Sequence, residues 1–220
     1  PAAVTNLHAS SVTQTSAALS WNNPADSGSG TAGFDLRYRV GITFTDTDWA
    51  AASRVPGEPS PPATGMTVSG LFCGTKYAFA LKSSDAVGNL SNISSAATLT
   101  TAVCTQPSDF IISSLSAPSS SSRGTTVVIT DTTKNQGKGS AAPSTTRLYL
   151  SIDATVGGGD VLLGSRTIPT LPAGASSSGS TSVTLPAGVP AGRYNIIAVA
   201  EADGFISEAK ENNNTLAAKI

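Results

Sequence analysis

Residues 70–92, GLFCGTKYAFALKSSDAVGNLSN, decide how the first half of this chain folds. Within them Tyr77, Phe79 and Leu81 alternate with Lys76, Ala78, Ala80 and Lys82. A period of two places successive side chains on opposite faces of an extended backbone, so the pattern predicts a β-strand with one buried face. Leu71 and Gly74 mark a turn before the strand, and Asp85-Ala86-Val87-Gly88-Asn89 a polar loop after it. Cys73, one of two cysteines in the chain, sits in the leading turn.

The same pattern extends outward. Residues 4–9 and 17–21 read as strands, with Leu19 and Trp21 facing in, and residues 22–28, NNPADSG, read as a loop. Phe34, Leu36, Tyr38 and Val40 alternate with Asp35, Arg37 and Arg39. Trp49 is expected to open a short strand, and residues 56–62 hold four prolines and must be loop. Met66 with Val68 and residues 94–100 supply two more strands. Seven short strands, with a turn about every 8–12 residues, predict a β-sandwich.

Residues 107–220 repeat the arrangement with thinner strands. These are expected at 109–115, at 125–131 with Val127 and Ile129 on one face, and around Leu148, Leu150 and Ile152. Further strands are expected at 161–168, 178–185, 194–200 and 216–220. Residues 153–160 contain three consecutive glycines and read as a hairpin tip. Residues 194–200 are almost wholly apolar, as in a central strand covered on both faces.

Composition narrows the function classes. Charged residues are 12% of the 220, and the net charge is −1. Like charges form no block, which argues against nucleic acid and anionic membranes as partners. No apolar run reaches the ~18 residues a membrane helix needs. Two cysteines in a Ser/Thr-rich chain fit an oxidising compartment. The chain begins at Pro1 and carries no signal peptide, so it reads as a mature or excised piece of a secreted protein. General acid–base chemistry most often uses histidine, and the single one, His8, stands near the first strand with no Ser or Cys partner expected beside it. Catalysis is not expected.

Residues 2–101 resemble a fibronectin type III domain. The resemblance rests on Trp21-Asn22-Asn23-Pro24, Phe34-Asp35-Leu36-Arg37-Tyr38, Trp49, Leu71 with Gly74-Thr75-Lys76-Tyr77, and the Asp85 to Ser91 loop. Tyr77 matches the tyrosine whose hydroxyl ties a turn to the backbone in such sandwiches. Residues 107–220 resemble the bacterial cell-adhesion-related domain CARDB. Here the matching pieces are Gly124, Asn135-Gln136-Gly137, Tyr149-Leu150-Ser151-Ile152-Asp153, Leu171-Pro172-Ala173-Gly174, Leu185-Pro186, Ala191-Gly192-Arg193-Tyr194 and Glu208 to Asn213. The two resemblances imply an all-β chain of two tandem immunoglobulin-like Greek-key sandwiches stacked end to end. The domains are expected at residues 1–102 and 109–220, with a linker at 103–108.

Such sandwiches place the start of strand six beside the end of strand seven, so a Cys73–Cys104 disulfide is expected. Candidate calcium ligands are Asp153 with Asp160, and Glu208 with Glu211, but each group is short of the six to eight oxygens calcium takes. The two groups are expected at opposite ends of their domain. Trp49, Asp85 and Asn89 are candidates for contact with a ligand. No cofactor other than that candidate calcium is expected. The function expected is a non-catalytic structural or adhesion module, a rigid two-sandwich rod on or secreted from a prokaryotic cell surface. Two alternatives stay open: a subunit of a self-assembling extracellular fibre, and a polysaccharide-binding accessory region of a larger secreted hydrolase. The partners expected are other proteins, surface polymers or copies of the chain itself.

Overall fold

The computed structural model describes residues 1–24 and 30–220, so part of the expected 22–28 loop lies outside the described residues. Among these residues there is no helix. The chain divides into two compact units, Pro1–Cys104 and Thr105–Ile220. Each is a sandwich of a three-stranded and a four-stranded antiparallel sheet.

The first unit contains β1 (Thr5–Ser10), β2 (Ser16–Asn22), β3 (Gly33–Val40), β4 (Ser53–Arg54), β5 (Gly65–Ser69), β6 (Lys76–Ser84) and β7 (Ala97–Thr100). Its sheets run in the orders β1-β2-β5 and β4-β3-β6-β7. Leu19 and Trp21 from one sheet meet Leu36, Tyr77, Phe79 and Leu81 from the other. Burying each large side chain contributes roughly 1.5–3 kcal/mol. The Tyr77 hydroxyl accepts a hydrogen bond from the Phe72 amide at 2.9 Å. Burial pushes its pKa up to about 12.

Strand β6 differs from the expected one-faced strand. Ala78 and Ala80, on the face expected to meet solvent, are 0% exposed. The segment after β3 covers them, and Phe44 and Trp49 form a second small cluster on these alanines. Only small side chains on that face leave room for such an overlay. Trp49 itself lies in a turn; the short strand begins at Ser53. The turn is closed by Asp48, whose carboxylate accepts from the Thr45 amide and hydroxyl, both at 2.8 Å.

Cys73 and Cys104 form a disulfide, with Cα atoms 5.1 Å apart and a sequence separation of 31. Beside it, the Gly74 amide donates to the Ala102 carbonyl at 2.8 Å and the Thr75 amide to the Thr101 hydroxyl at 2.9 Å. The bridge thus ties the β6 entry to the tail of β7. On the chain-entropy model, closing this loop stabilises the unit by about 3–4 kcal/mol. Replacing both cysteines with serine is expected to lower its unfolding free energy by that amount. Denaturant titration followed by tryptophan fluorescence checks this.

The second unit contains β8 (Phe110–Ser116), β9 (Thr126–Asn135), β10 (Ser144–Ser151), β11 (Val161–Ile168), β12 (Ser176–Thr184), β13 (Asn195–Val199) and β14 (Thr215–Lys219). Its sheets run β12-β9-β8 and β11-β10-β13-β14. Phe110, Ile129, Leu148, Ile168, Ile196 and Ile197 are all fully buried. Strand β13 is central and buried on both faces, as its apolar run implies. Ile152 is the exception to the expected alternation: it lies beyond β10 and is 79% exposed.

A polar seam crosses this core. Asp131 of β9 is 0% exposed and pairs with Arg166 of β11. Arg166 also donates to the Ser177 hydroxyl at 3.0 Å and the Ser177 carbonyl at 3.1 Å on β12. The guanidinium therefore joins the two sheets at the edge where β11 and β12 lie side by side. Thr133 and Thr146 add a buried hydroxyl pair at 2.7 Å.

Candidate functional site

Trp49 is only 9% exposed. The Arg37 guanidinium and the Lys82 ammonium each lie 4.8 Å from its ring centroid. Arg37 is held in turn by Asp35 at 3.0 and 2.9 Å and by the Trp49 carbonyl at 2.8 Å. Two cations stacked on an indole are worth roughly 0.5–2 kcal/mol each, so this tryptophan anchors the overlay on β6. The arrangement is structural, and it keeps the ring from standing free as a sugar platform.

Asp85 and Asn89 sit together in the exposed turn after β6. The Asp85 carboxylate accepts from the Val87 amide at 3.0 Å, the Asn89 amide at 2.9 Å and the Asn89 side chain at 2.8 Å. These bonds, the Asn89 side chain first, lower its pKa. Gly88 closes the turn with φ of +87°, a left-handed conformation that glycine adopts without steric cost. The pair is a self-satisfied turn.

The calcium candidates lie apart within the second unit. Asp153 follows β10, which pairs Ser151 with Asn195 at the start of β13. Glu208 and Glu211 lie beyond the other end of β13. Asp153 accepts from the Thr155 amide and hydroxyl, both at 2.8 Å, and Asp160 accepts from the Gly157 amide at 2.7 Å. Glu211 accepts from the Glu208 amide at 2.9 Å. Among the described residues no three His, Cys, Asp or Glu side chains are grouped to hold a metal.

His8 departs from expectation. The β1–β2 register sets it opposite Ser20, whose hydroxyl lies 2.9 Å from Nε2. Its Nδ1 lies 2.9 Å from the Asn6 carbonyl. Among the described residues no carboxylate is bonded to the ring, and both groups sit on the outer surface of a sheet. The pair lacks the third member that makes a nucleophile and base productive.

The most densely connected polar group was singled out in the sequence only as a motif. Asn135 is 0% exposed at the end of β9. Its Nδ2 donates to the Gly139 carbonyl at 2.8 Å and the Leu171 carbonyl at 2.9 Å. Its Oδ1 accepts from the Asp109 amide at 3.1 Å and the Gly137 amide at 3.0 Å. One side chain thus fastens the start of β8, the loop after β9 and the turn after β11. Gly137 and Gly139 are needed there: a Cβ would lie 2.5 Å from the Asp109 amide nitrogen at the first and 1.9 Å from the Gln106 carbonyl oxygen at the second.

Beside this clasp stand a buried carboxyl, Glu201, and a half-buried one, Glu208. Glu201, with φ of +46°, accepts from the Phe205 amide at 2.7 Å and the Ile206 amide at 3.0 Å. Glu208 accepts from the Phe110 amide, and from the Asn214 side chain at 2.6 Å. Neither has a cationic partner among the described residues. Burial raises the Glu201 pKa to about 7 and the Glu208 pKa to about 8. Both folded values lie above the unfolded one of 4.5. Their stabilising contribution is complete below pH 4.5 and is lost as pH rises through about 7 and about 8. The second sandwich is therefore expected to lose about 2–4 kcal/mol over that rise, after discounting for partial solvent screening. Glu208→Gln should remove much of this slope, measured by denaturation at mildly acidic and mildly alkaline pH.

A cleft of about 610 Å³ opens at the other end of this sandwich, lined by residues 119–123, Leu150, Leu185, residues 189–194 and Ile220.

The fold is matched by its relatives. A fibronectin type III domain model matches residues 2–99 and a CARDB model matches residues 107–218. Chitinase Chi52 of Paenibacillus xylanexedens is 37% identical over 101 residues, which is 46% of this chain and 16% of that enzyme. An alpha-amylase of Niallia circulans is 38% identical over 101 residues, 46% of this chain and 7% of that protein. The match thus spans less than a fifth of either relative. A solved CARDB domain from Pyrococcus furiosus, in complex with di-metal ions, is 17% identical with a TM-score of 0.42, covering 54% of this chain and 96% of that one. Both domains are non-catalytic folds. The chain belongs to the CARDB family, its CARDB domain following a fibronectin type III domain.

Proposed function

We propose that these residues form a non-catalytic, extracellular region of a prokaryotic protein that acts on or adheres to polysaccharide. Residues 103–108 are read as the linker between its domains. The observation that carries this reading is the set of relatives. A stretch of about 100 residues recurs in Chi52, in the alpha-amylase and in chitinases A1 and D of Niallia circulans, where it is 7–16% of each protein. A short stretch shared between enzymes named for different glycans is suited to spacing or attachment rather than to the reaction. The disulfide supports an oxidising compartment. The self-satisfied turns and the packed Trp49 support a structural role for the first sandwich.

Co-sedimentation of the purified chain with insoluble chitin, starch and acidic plant or microbial polysaccharide tests the reading. Retention on at least one is expected. Loss from every one of them would end the polysaccharide part and leave a spacer or adhesion module that contacts protein.

A further inference from the structure

We propose that the cleft of the second sandwich binds an acidic sugar unit, a uronate-type ring whose carboxylate is received by Arg123 and Arg193. The inference rests on the polysaccharide reading above and narrows it to one site and one ligand class.

The chain has seven arginines. Arg37, Arg39, Arg54, Arg147 and Arg166 are each paired with a carboxylate. The two that pair with none among the described residues, Arg123 and Arg193, both line this cleft. Among the described residues no Asp or Glu lines it. Arginine's planar fork matches a carboxylate, so two arginines lining one recess favour an anionic ligand there.

The rest of the lining suits a sugar. The volume of about 610 Å³ lies in the range of small-ligand sites, about 300–1,000 Å³. Leu150 and Leu185 are buried and form an apolar floor. Tyr194 is half-buried and held in place: its hydroxyl donates to the Pro190 carbonyl at 3.0 Å, and its backbone pairs with Ile220 in both directions, at 3.3 and 3.0 Å. A fixed phenol ring is a surface for the C–H face of a pyranose. Ser119, Ser120, Ser121 and Ser122 also line the cleft, and serine hydroxyls can both donate to and accept from sugar hydroxyls. One arm of Arg123 is fixed by the Val189 carbonyl at 2.9 Å, which holds the guanidinium against the cleft and leaves its other donors for the ligand. Electrostatic capture at an exposed rim is screened by salt, whereas contact through neutral hydroxyls alone is not.

Calorimetric titration of the full chain with trigalacturonate, with a neutral trimer of N-acetylglucosamine and with inorganic phosphate tests the proposal. Trigalacturonate is expected to bind at low salt and to weaken as salt is raised. The neutral trimer and phosphate are each expected to bind at least about tenfold more weakly. Arg193→Gln, at an exposed position, is expected to weaken trigalacturonate about tenfold or more with the melting temperature unchanged. Arg123→Lys, which keeps the charge but not the fork, should weaken it less. Phosphate binding as tightly as the uronate would overturn the sugar assignment. An Arg193→Gln affinity equal to that of the unaltered chain would overturn the site. Retention on chitin or starch without trigalacturonate binding would overturn the cleft and leave the polysaccharide reading standing. Loss from every polymer and every probe would end both.

Discussion

Replacing Arg166 with methionine is expected to destabilise the second sandwich by about 3–5 kcal/mol, the range for stranding one member of a buried ion pair. The reason lies in what the substitution leaves behind. Asp131 is 0% exposed and takes its ionic partner from Arg166 alone among the described residues. Without the guanidinium a carboxylate stays in the core, and the Ser177 hydroxyl and carbonyl on β12 lose their donor. A methionine fills the volume of the arginine stem, so packing loss contributes little. The informative companion is the double replacement Asp131→Leu with Arg166→Met. It removes both charges, and it is expected to recover most of the loss, because an apolar pair of similar volume commonly does as well as a buried ion pair. A double variant as unstable as the single one would place the cost in the Ser177 contacts instead. Both tryptophans, Trp21 and Trp49, belong to the first unit, so the measurement needs calorimetry or hydrogen exchange resolved to the second.

Asn135→Leu is expected to be comparably damaging, by about 3–5 kcal/mol, since each buried polar group left without a partner costs about 1–3 kcal/mol. Asn135 satisfies the Gly139 and Leu171 carbonyls and the Asp109 and Gly137 amides. Leucine is nearly the same size but offers no donor or acceptor. Asn135→Asp is a sharper control: it keeps the acceptor for the two amides and turns the donor for the two carbonyls into a repelling oxygen. If the carbonyl side dominates, the aspartate variant is nearly as unstable as the leucine variant. The effect should appear as lost amide protection at Asp109, Gly137 and the residues around 171–175, while the first sandwich keeps its midpoint. Unchanged protection there would mean that the loops are held by their backbone pairs alone, such as Gln136 to Asp109 at 2.8 Å and Gly174 to Asn135 at 2.8 Å.

Much of this architecture is legible in the residues because strand patterns are local. Tyr77, Phe79 and Leu81 declare an inward face by spacing alone, and they lie in the first core. Gly74, Gly88 and Gly174 mark turns, and all three adopt positive φ. The misreadings have one cause. Ala78 and Ala80 looked solvent-facing because nothing in their neighbourhood announces that residues 44–52 fold back over them. The cationic neighbours of Trp49, Arg37 and Lys82, come from β3 and β6 and are not visible in its local sequence. His8 looked isolated because its serine partner is 12 residues away along the chain and adjacent only across a sheet.

The sequence alone determined the class of the chain: two all-β modules, built from period-two runs and Gly/Pro/Asn turns, with too little charge for a nucleic-acid surface. Those features follow from the stereochemistry of a few consecutive residues. Only the tertiary structure decided which polar groups are spoken for. Arg166 is consumed by Asp131 across 35 residues, and Asn135 by carbonyls up to 37 residues away. Arg123 and Arg193, 70 positions apart in the numbering, line one cleft and pair with no carboxylate among the described residues. A buried charge finds its partner through three-dimensional packing, because the desolvation that demands the partner exists only once the sheets have closed.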